Sequence, residues 1–191
     1  MAKTSMASEF QKANPQFEEL KMIQAARLDP RAFGELYLRY VERVFKYLYS
    51  RVGSVQEAED LTAQTFLAAF ESFDRFHQDG NFAPWLFTIA RNKAMDHFRR
   101  HKKVSFTHEI SDVPVEFDPL EGVVQSEQVA TLSRLIRTLP EEDRELLRLR
   151  FLAEMSFPEM ARLLHRQEDA VKKSVYRLLS RLHNQMEVSN D

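Results

Sequence analysis

Apolar residues recur at helical spacing from Phe17 onward: Phe17, Leu20 and Ile23 first, then Phe33, Leu36, Tyr37, Tyr40, Val44, Tyr47 and Leu48. Asp29-Pro30 separates the two segments, because proline starts a helix more readily than it continues one. Gly53-Ser54 ends the second, and Ser54 is placed to cap a third helix running to about Phe73. A polar loop, DRFHQDGN, then leads into FAPWLFTIARNKAMDHFRRHKK, residues 82–103. The pattern predicts a loose tail over 1–16 and a four-helix lobe over 17–103.

A different texture follows. VSFTHEISDVPVEFDPLEGVVQSE, residues 104–127, has six acids and neither Lys nor Arg, and Pro114 and Pro119 discourage helix. On composition it reads as a solvated, flexible linker. Helical spacing then returns in a second lobe, 128–188. LPEEDRELLRLRFL places Pro140 and its acids at the start and arginines later, as the helix dipole favours. Ser156 with Glu159 forms a capping-box pattern opening FPEMARLLH. After a break at HRQED, Val171, Val175, Leu178, Leu179 and Leu182 mark one narrow stripe of a longer helix. Three short helices with the last pair closely joined predict a helix-turn-helix. The fold class is all-α, two small helical domains on an acidic tether.

Composition narrows the function. With no Cys among 191 residues, disulfides, thiol catalysis and cysteine zinc sites are excluded, and a reducing cytoplasm suits the chain. No apolar run approaches the ~18 residues of a membrane span, which argues against membrane insertion. Paired carboxylates, a metal-spaced histidine cluster, a Gly-rich phosphate loop and a nucleophile motif are all missing, so neither an enzyme nor a metal or cofactor site is expected.

Charge changes the picture most. The chain carries −2 overall, yet residues 82–103 hold six cations against Asp96 alone, a net +5. On a helical wheel Leu86, Ala90, Ala94 and Phe98, with Phe87 beside them, form the face expected to enter the core. Trp85, Asn92, Asp96, Arg99 and Lys103 fall opposite, with Arg100 at hand: a stacking ring, an amide suited to a base edge, and cations for phosphate. Phe82 and Trp85 also fit a plainer role as core aromatics. The final helix sets Lys172, Lys173, Tyr176 and Arg177 away from its apolar stripe, and residues 162–181 carry a net +4. Alone, that face fits a solvated surface as well as it fits the major groove. Two basic helices on separate lobes share one explanation better. On the third helix Glu57, Asp60, Gln64, Leu67 and Glu71 line up opposite Val55, Ala58, Leu61, Thr62, Phe66 and Ala69, an apolar residue among acids that suits protein docking.

EAEDLTAQTFLAAFESFDRF, FAPWLFTIARNKAMDHFRR and LPEEDRELLRLRFLAEMSFPEMARLLHRQEDAVKKSVYRLLSRL together resemble, in order and spacing, the extracytoplasmic-function (ECF) sigma factors of bacteria. The resemblance covers about 20–185. It implies a cytoplasmic specificity subunit of RNA polymerase, with a region 2 lobe for a melted −10 element and a region 4 lobe for the −35 element. By position it implies that Glu57, Asp60, Gln64 and Leu67 meet the β′ clamp helices of core RNA polymerase, and that the last lobe meets the β flap. It implies a pocket for a flipped base around Phe82, Trp85, Asn92 and Asp96, with Arg99, Arg100 and Lys103 on the DNA backbone. It implies promoter contacts at −35 by Arg166, Lys172, Lys173, Tyr176 and Arg177. The acidic tether would thread toward the active-site cleft and RNA exit channel, and the family leaves room for an anti-sigma factor.

The chain departs from the family in places. Ala63-Gln64 stand where Gln-Glu is usual, His165 stands where the helix-turn-helix usually has Gly, and Asp169 replaces a small residue. The competing reading is a conventional helix-turn-helix repressor or activator, which would bind duplex DNA tightly without polymerase.

Overall fold

In the computed structural model, residues 15–76, 81–104 and 127–189 are described. The expected tail (1–14 of it) and nearly all of the acidic tether lie outside the described residues. Helix α1 (Pro15–Leu28) ends at Asp29, whose carboxylate accepts from Arg31 N at 2.9 Å and turns the chain through a 3-10 turn at Pro30–Ala32. Helix α2 (Phe33–Val52) buries Phe33, Leu36, Tyr40, Val44, Tyr47, Leu48 and Val52 along one stripe. Gly53 stops it in the left-handed region (φ 76°), a conformation glycine adopts without a Cβ penalty. Ser54 then caps α3 (Val55–Glu71), accepting from Glu57 N. Buried Thr62 and Thr65 on α3 donate to the carbonyls of Ala58 and Leu61, both at 2.7 Å, so neither hydroxyl is stranded.

Helix α4 (Phe82–Val104) lies against α2 and α3. Ala83, Ala90 and Ala94 are fully buried on it, small residues that let the backbones approach closely. Its first turn closes an aromatic cluster: the Phe82 ring sits 5.3–6.4 Å from those of Phe33, Tyr40, Phe73, Phe76 and Trp85. Phe98, expected in the core, is instead 42% exposed. The lobe ends before it: His97 already lies beside Glu57, in the first turn of α3, and α4 overhangs beyond that point. Val55, at the same end of α3, is exposed for the same reason.

The second lobe has four α-helices among the described residues, one more than the spacing predicts. Helix α5 (Glu127–Thr138) is added ahead of α6 (Glu141–Leu147), which continues as a wider π turn over Arg148–Leu152. Helix α7 (Phe157–Leu164) opens with the expected capping box, in which Ser156 accepts from Glu159 N and the Glu159 carboxylate accepts from Ser156 N at 2.7 Å. Helix α8 (Glu168–Ser189) buries Val171, Val175, Leu178 and Leu182 against α5, α6 and α7. His165 forms the turn between α7 and α8 at φ 53°, ψ 42°, the left-handed conformation usually left to glycine.

The two lobes pack on each other, α2 against the π turn and α4 against α7. Two buried tyrosines of α2 tie its neighbours down, one within the first lobe and one across the boundary. The Tyr40 hydroxyl donates to Glu19 of α1, and Glu19 also accepts from Phe82 N at 3.2 Å, which ties down the start of α4. The Tyr47 hydroxyl donates at 2.8 Å to Glu145 of α6, across the lobe boundary. Burial first, then the neighbouring carboxylate, pushes both phenols well above their ordinary pKa. Both remain donors at any physiological pH.

A non-glycine residue in the left-handed region carries a backbone penalty. His165→Gly is expected to raise stability by about 0.5–1 kcal/mol, read as a shift in the urea midpoint of helicity; an unchanged or lower midpoint contradicts this.

Candidate nucleic-acid interface

On α4 the exposed line runs Asn92, Asp96, Arg99, one helical turn at a time, with Arg100 also exposed. Asp96 pairs with Arg99 at 3.0 Å, and Arg100 Nε donates to the Asp96 carbonyl at 3.3 Å. Both partners of the ion pair are open to water, so it adds little stability and either can exchange it for a ligand. The side chain of Lys103 lies outside the described residues. Trp85 is half-buried, one side against Phe73, Phe76 and Phe82. Phe82 is fully buried and takes the core role; it positions Trp85 and offers no surface of its own to DNA. Four of its ring neighbours, Phe33, Tyr40, Phe73 and Phe76, come from other segments of the lobe, which sequence spacing does not reveal.

On α3 Asp60, Gln64 and Leu67 are exposed, Leu67 by 59%. Glu57 stands apart from them: it is half-buried and lies 3.5 Å from His97 Nε2, joining α3 to α4. The structure adds two aromatics that sequence reasoning missed. Phe70 is 47% exposed and meets Phe33 edge-on at 5.3 Å, while Tyr37 is exposed and meets Phe66 at 4.8 Å. Phe70 lies three residues from Leu67, a spacing that could have marked it; Tyr37 comes from another helix and carried no such signal.

On α8 Lys172, Lys173, Tyr176 and Arg177 are exposed, opposite the buried stripe. Lys172, Lys173 and Arg177 form no ion pair among the described residues. Arg166 is held more firmly, its Nη2 donating to Ser174 Oγ at 3.0 Å. The Tyr176 ring leans on Phe157 of α7 at 5.9 Å. The arrangement is an exposed cationic face on the second helix of a helix-turn-helix, a shape that fits the major groove.

Among the described residues no helix is long and apolar enough to cross a membrane. Residues 36–104 match Sigma-70 region 2, and residues 130–182 match Sigma-70, region 4. The chain is 39% identical over 169 residues to the ECF RNA polymerase sigma factor BldN of Streptomyces coelicolor, covering 86% of this chain and 63% of that one. It is 30% identical over 175 residues to the RNA polymerase sigma factor NccH of Alcaligenes xylosoxydans xylosoxydans, covering 88% of this chain and 94% of that one. CnrH, solved in complex with the cytosolic domain of CnrY, superposes with a TM-score of 0.62 at 25% identity, over 89% of this chain and 97% of CnrH. With the exposed cationic helix-turn-helix and the α3–α4 surface in one chain, these matches place the protein in the family of ECF RNA polymerase sigma factors.

Proposed function

We propose that this chain binds core RNA polymerase through α3 and directs it to promoters whose −10 element is held by α4 and whose −35 element is read by α8. The observation that carries the reading is the pairing of two exposed cationic helix faces, one per lobe, with a third surface that is acidic and apolar. A duplex-binding repressor has use for the α8 face alone; the α4 and α3 surfaces would be idle in it. Region 2 spans 17–103 and region 4 spans 128–188 in this reading, with the acidic segment between them directed toward the polymerase cleft. The work is binding and strand capture in the cytoplasm, and the polymerase supplies the catalysis. An anti-sigma factor that competes for the same surfaces fits this scheme.

Each surface has a distinct chemistry. On α3 the centre is Leu67 among Asp60 and Gln64, with Phe70 and Tyr37 extending it, a form suited to a partner surface that is itself basic and apolar, in this reading the β′ clamp helices. On α4 Trp85 offers part of a ring, Asn92 an amide able to match a base edge, and Arg99, Arg100 and Lys103 phosphate contacts. On α8 Lys172 and Lys173 act as point charges on phosphate, while Tyr176 and Arg177 reach further into the groove. Arg166, already bonded to Ser174, serves the backbone at the edge of that face.

Asn92→Ala is expected to reduce open-complex formation on duplex promoters while leaving polymerase binding intact; equal transcription from duplex and pre-melted templates by mutant and parent argues against the pocket. Replacing Asp60 with Lys and Leu67 with Asp should weaken holoenzyme assembly by tenfold or more, with far-UV helicity unchanged. Lys173→Ala, as a lost phosphate contact, should weaken binding to every −35 sequence alike and reduce the salt slope by about one unit. Holoenzyme titrations at several salt concentrations decide that point.

A further inference from the structure

Among the cations of the proposed −35 face, Arg166 is anchored before any DNA arrives. It lies in the turn between α7 and α8, where its backbone is fixed. His165 N donates to the Arg162 carbonyl at 3.3 Å and Arg166 N to the Ala161 carbonyl at 3.0 Å, the paired bonds that close a helix on a left-handed residue. From that turn the side chain runs along α8 to Ser174, where Nη2 donates to Oγ at 3.0 Å. The Ser174 hydroxyl directs its own proton to the Ala170 carbonyl, 2.9 Å away, and so serves Arg166 as an acceptor. Lys172, Lys173 and Arg177, on the same face, have no comparable anchor among the described residues.

The partner is a hydroxyl where carboxylates were at hand. Glu168 and Asp169 follow closely in the first turn of α8, yet Arg166 forms no ion pair among the described residues. A carboxylate partner would offset the charge that a phosphate must attract. The hydroxyl leaves that charge whole, occupies one guanidinium N–H and leaves the others free for a bidentate grip. The bond is exposed to water, so it adds little stability and its effect is orientation. Ser174 itself is half-buried, on the flank of α8 between buried Val171 and Leu178 and exposed Arg177. The arginine therefore rests against a fixed point at the edge of the cationic face.

We propose that Ser174 is a positioning residue for promoter binding: it presets the Arg166 guanidinium for one phosphate at the edge of the −35 element and so fixes how α8 sits in the groove, on the −35 reading of α8 proposed above. Phosphate contacts carry register and orientation, while base edges carry sequence. A long side chain that is free in solution loses its rotation on binding DNA. One already held has lost it on folding, and the difference is about three- to tenfold in affinity. Ser174 touches no DNA in this scheme, which separates it from the lysines and arginines around it.

Nitrogen relaxation of the arginine Nε–H groups in the free full-length chain reads the anchor directly. Arg166 should be more ordered than Arg177, and Ser174→Ala should erase the difference. Holoenzyme titrations onto promoter DNA at several salt concentrations read its effect. Ser174→Ala should weaken binding about three- to tenfold with the salt slope unchanged, since no charge is lost. Arg166→Ala should weaken binding and lower the slope by about one unit. In the Arg166→Ala background Ser174→Ala should add nothing, and Ser174→Thr, which keeps the hydroxyl, should bind within about twofold of the parent. A merely structural Ser174 predicts none of this, because alanine favours the helix and the urea midpoint should hold or rise. Equal order at Arg166 and Arg177, or a Ser174→Ala effect that persists without Arg166, overturns the positioning role. A silent Ser174→Ala beside a weakened Lys173→Ala removes Ser174 and leaves the −35 reading standing. If Lys173→Ala, Arg166→Ala and Ser174→Ala are all silent, the −35 reading fails and Ser174 loses its role with it.

Discussion

Two phenol hydroxyls on one helix need partners, and the architecture follows from where they find them. Tyr40 and Tyr47 lie two turns apart on the buried stripe of α2, each too large to leave out of the core and each carrying a donor that burial makes costly to strand. Tyr40 is answered by Glu19 from α1, which also receives the first N–H of α4. Tyr47 is answered by Glu145 from the other lobe. One helix thus sets the entry of the candidate base-capturing helix and the seat of the candidate DNA-reading lobe.

The surfaces proposed for binding share a simple physical character: they sit where the packing stops. Asn92 and Asp96 lie on the side of α4 turned away from buried Ala90 and Ala94, and Phe98 and Arg99 lie where α4 outruns the end of α3. Leu67 and Phe70 lie at the margin of the aromatic packing between α2 and α3. Lys172, Lys173, Tyr176 and Arg177 occupy the side of α8 left over once Val171, Val175, Leu178 and Leu182 are buried. Interior and surface are complementary products of the same helix periods.

Polar contacts divide the same way. Within each lobe many are local, Ser54 and Ser156 capping helices and Thr62 and Thr65 bonding to their own turns, and Glu19 adds a longer reach to Tyr40 and Phe82 N. Between the lobes they are long-range and ionic, with arginines on one side and carboxylates on the other. The first kind supports a permanent fold. The second kind joins the two halves through charged groups whose burial depends on both being packed together.

What the sequence by itself determined is nearly everything governed by spacing along one helix. The Asp29-Pro30 break, the Gly53-Ser54 stop and cap, the Ser156–Glu159 box and the basic faces of α4 and α8 are legible because each depends on residues within a turn or two of one another. Helix α5 was hidden beside the acidic segment, where no break in composition marks its start. Only the tertiary structure decided which aromatics are core and which are surface. Phe82 and Phe98 look alike along α4, but four rings from other segments join Trp85 in enclosing the first, while the second is 42% exposed. Only it revealed that Glu145, an acid in a helix read as merely dipole-friendly, faces Tyr47, Arg51 and Arg91 across the lobe boundary. Periodicity states which side of a helix turns inward; which residues from remote segments arrive to meet it is a property of packing, and packing has no local signature.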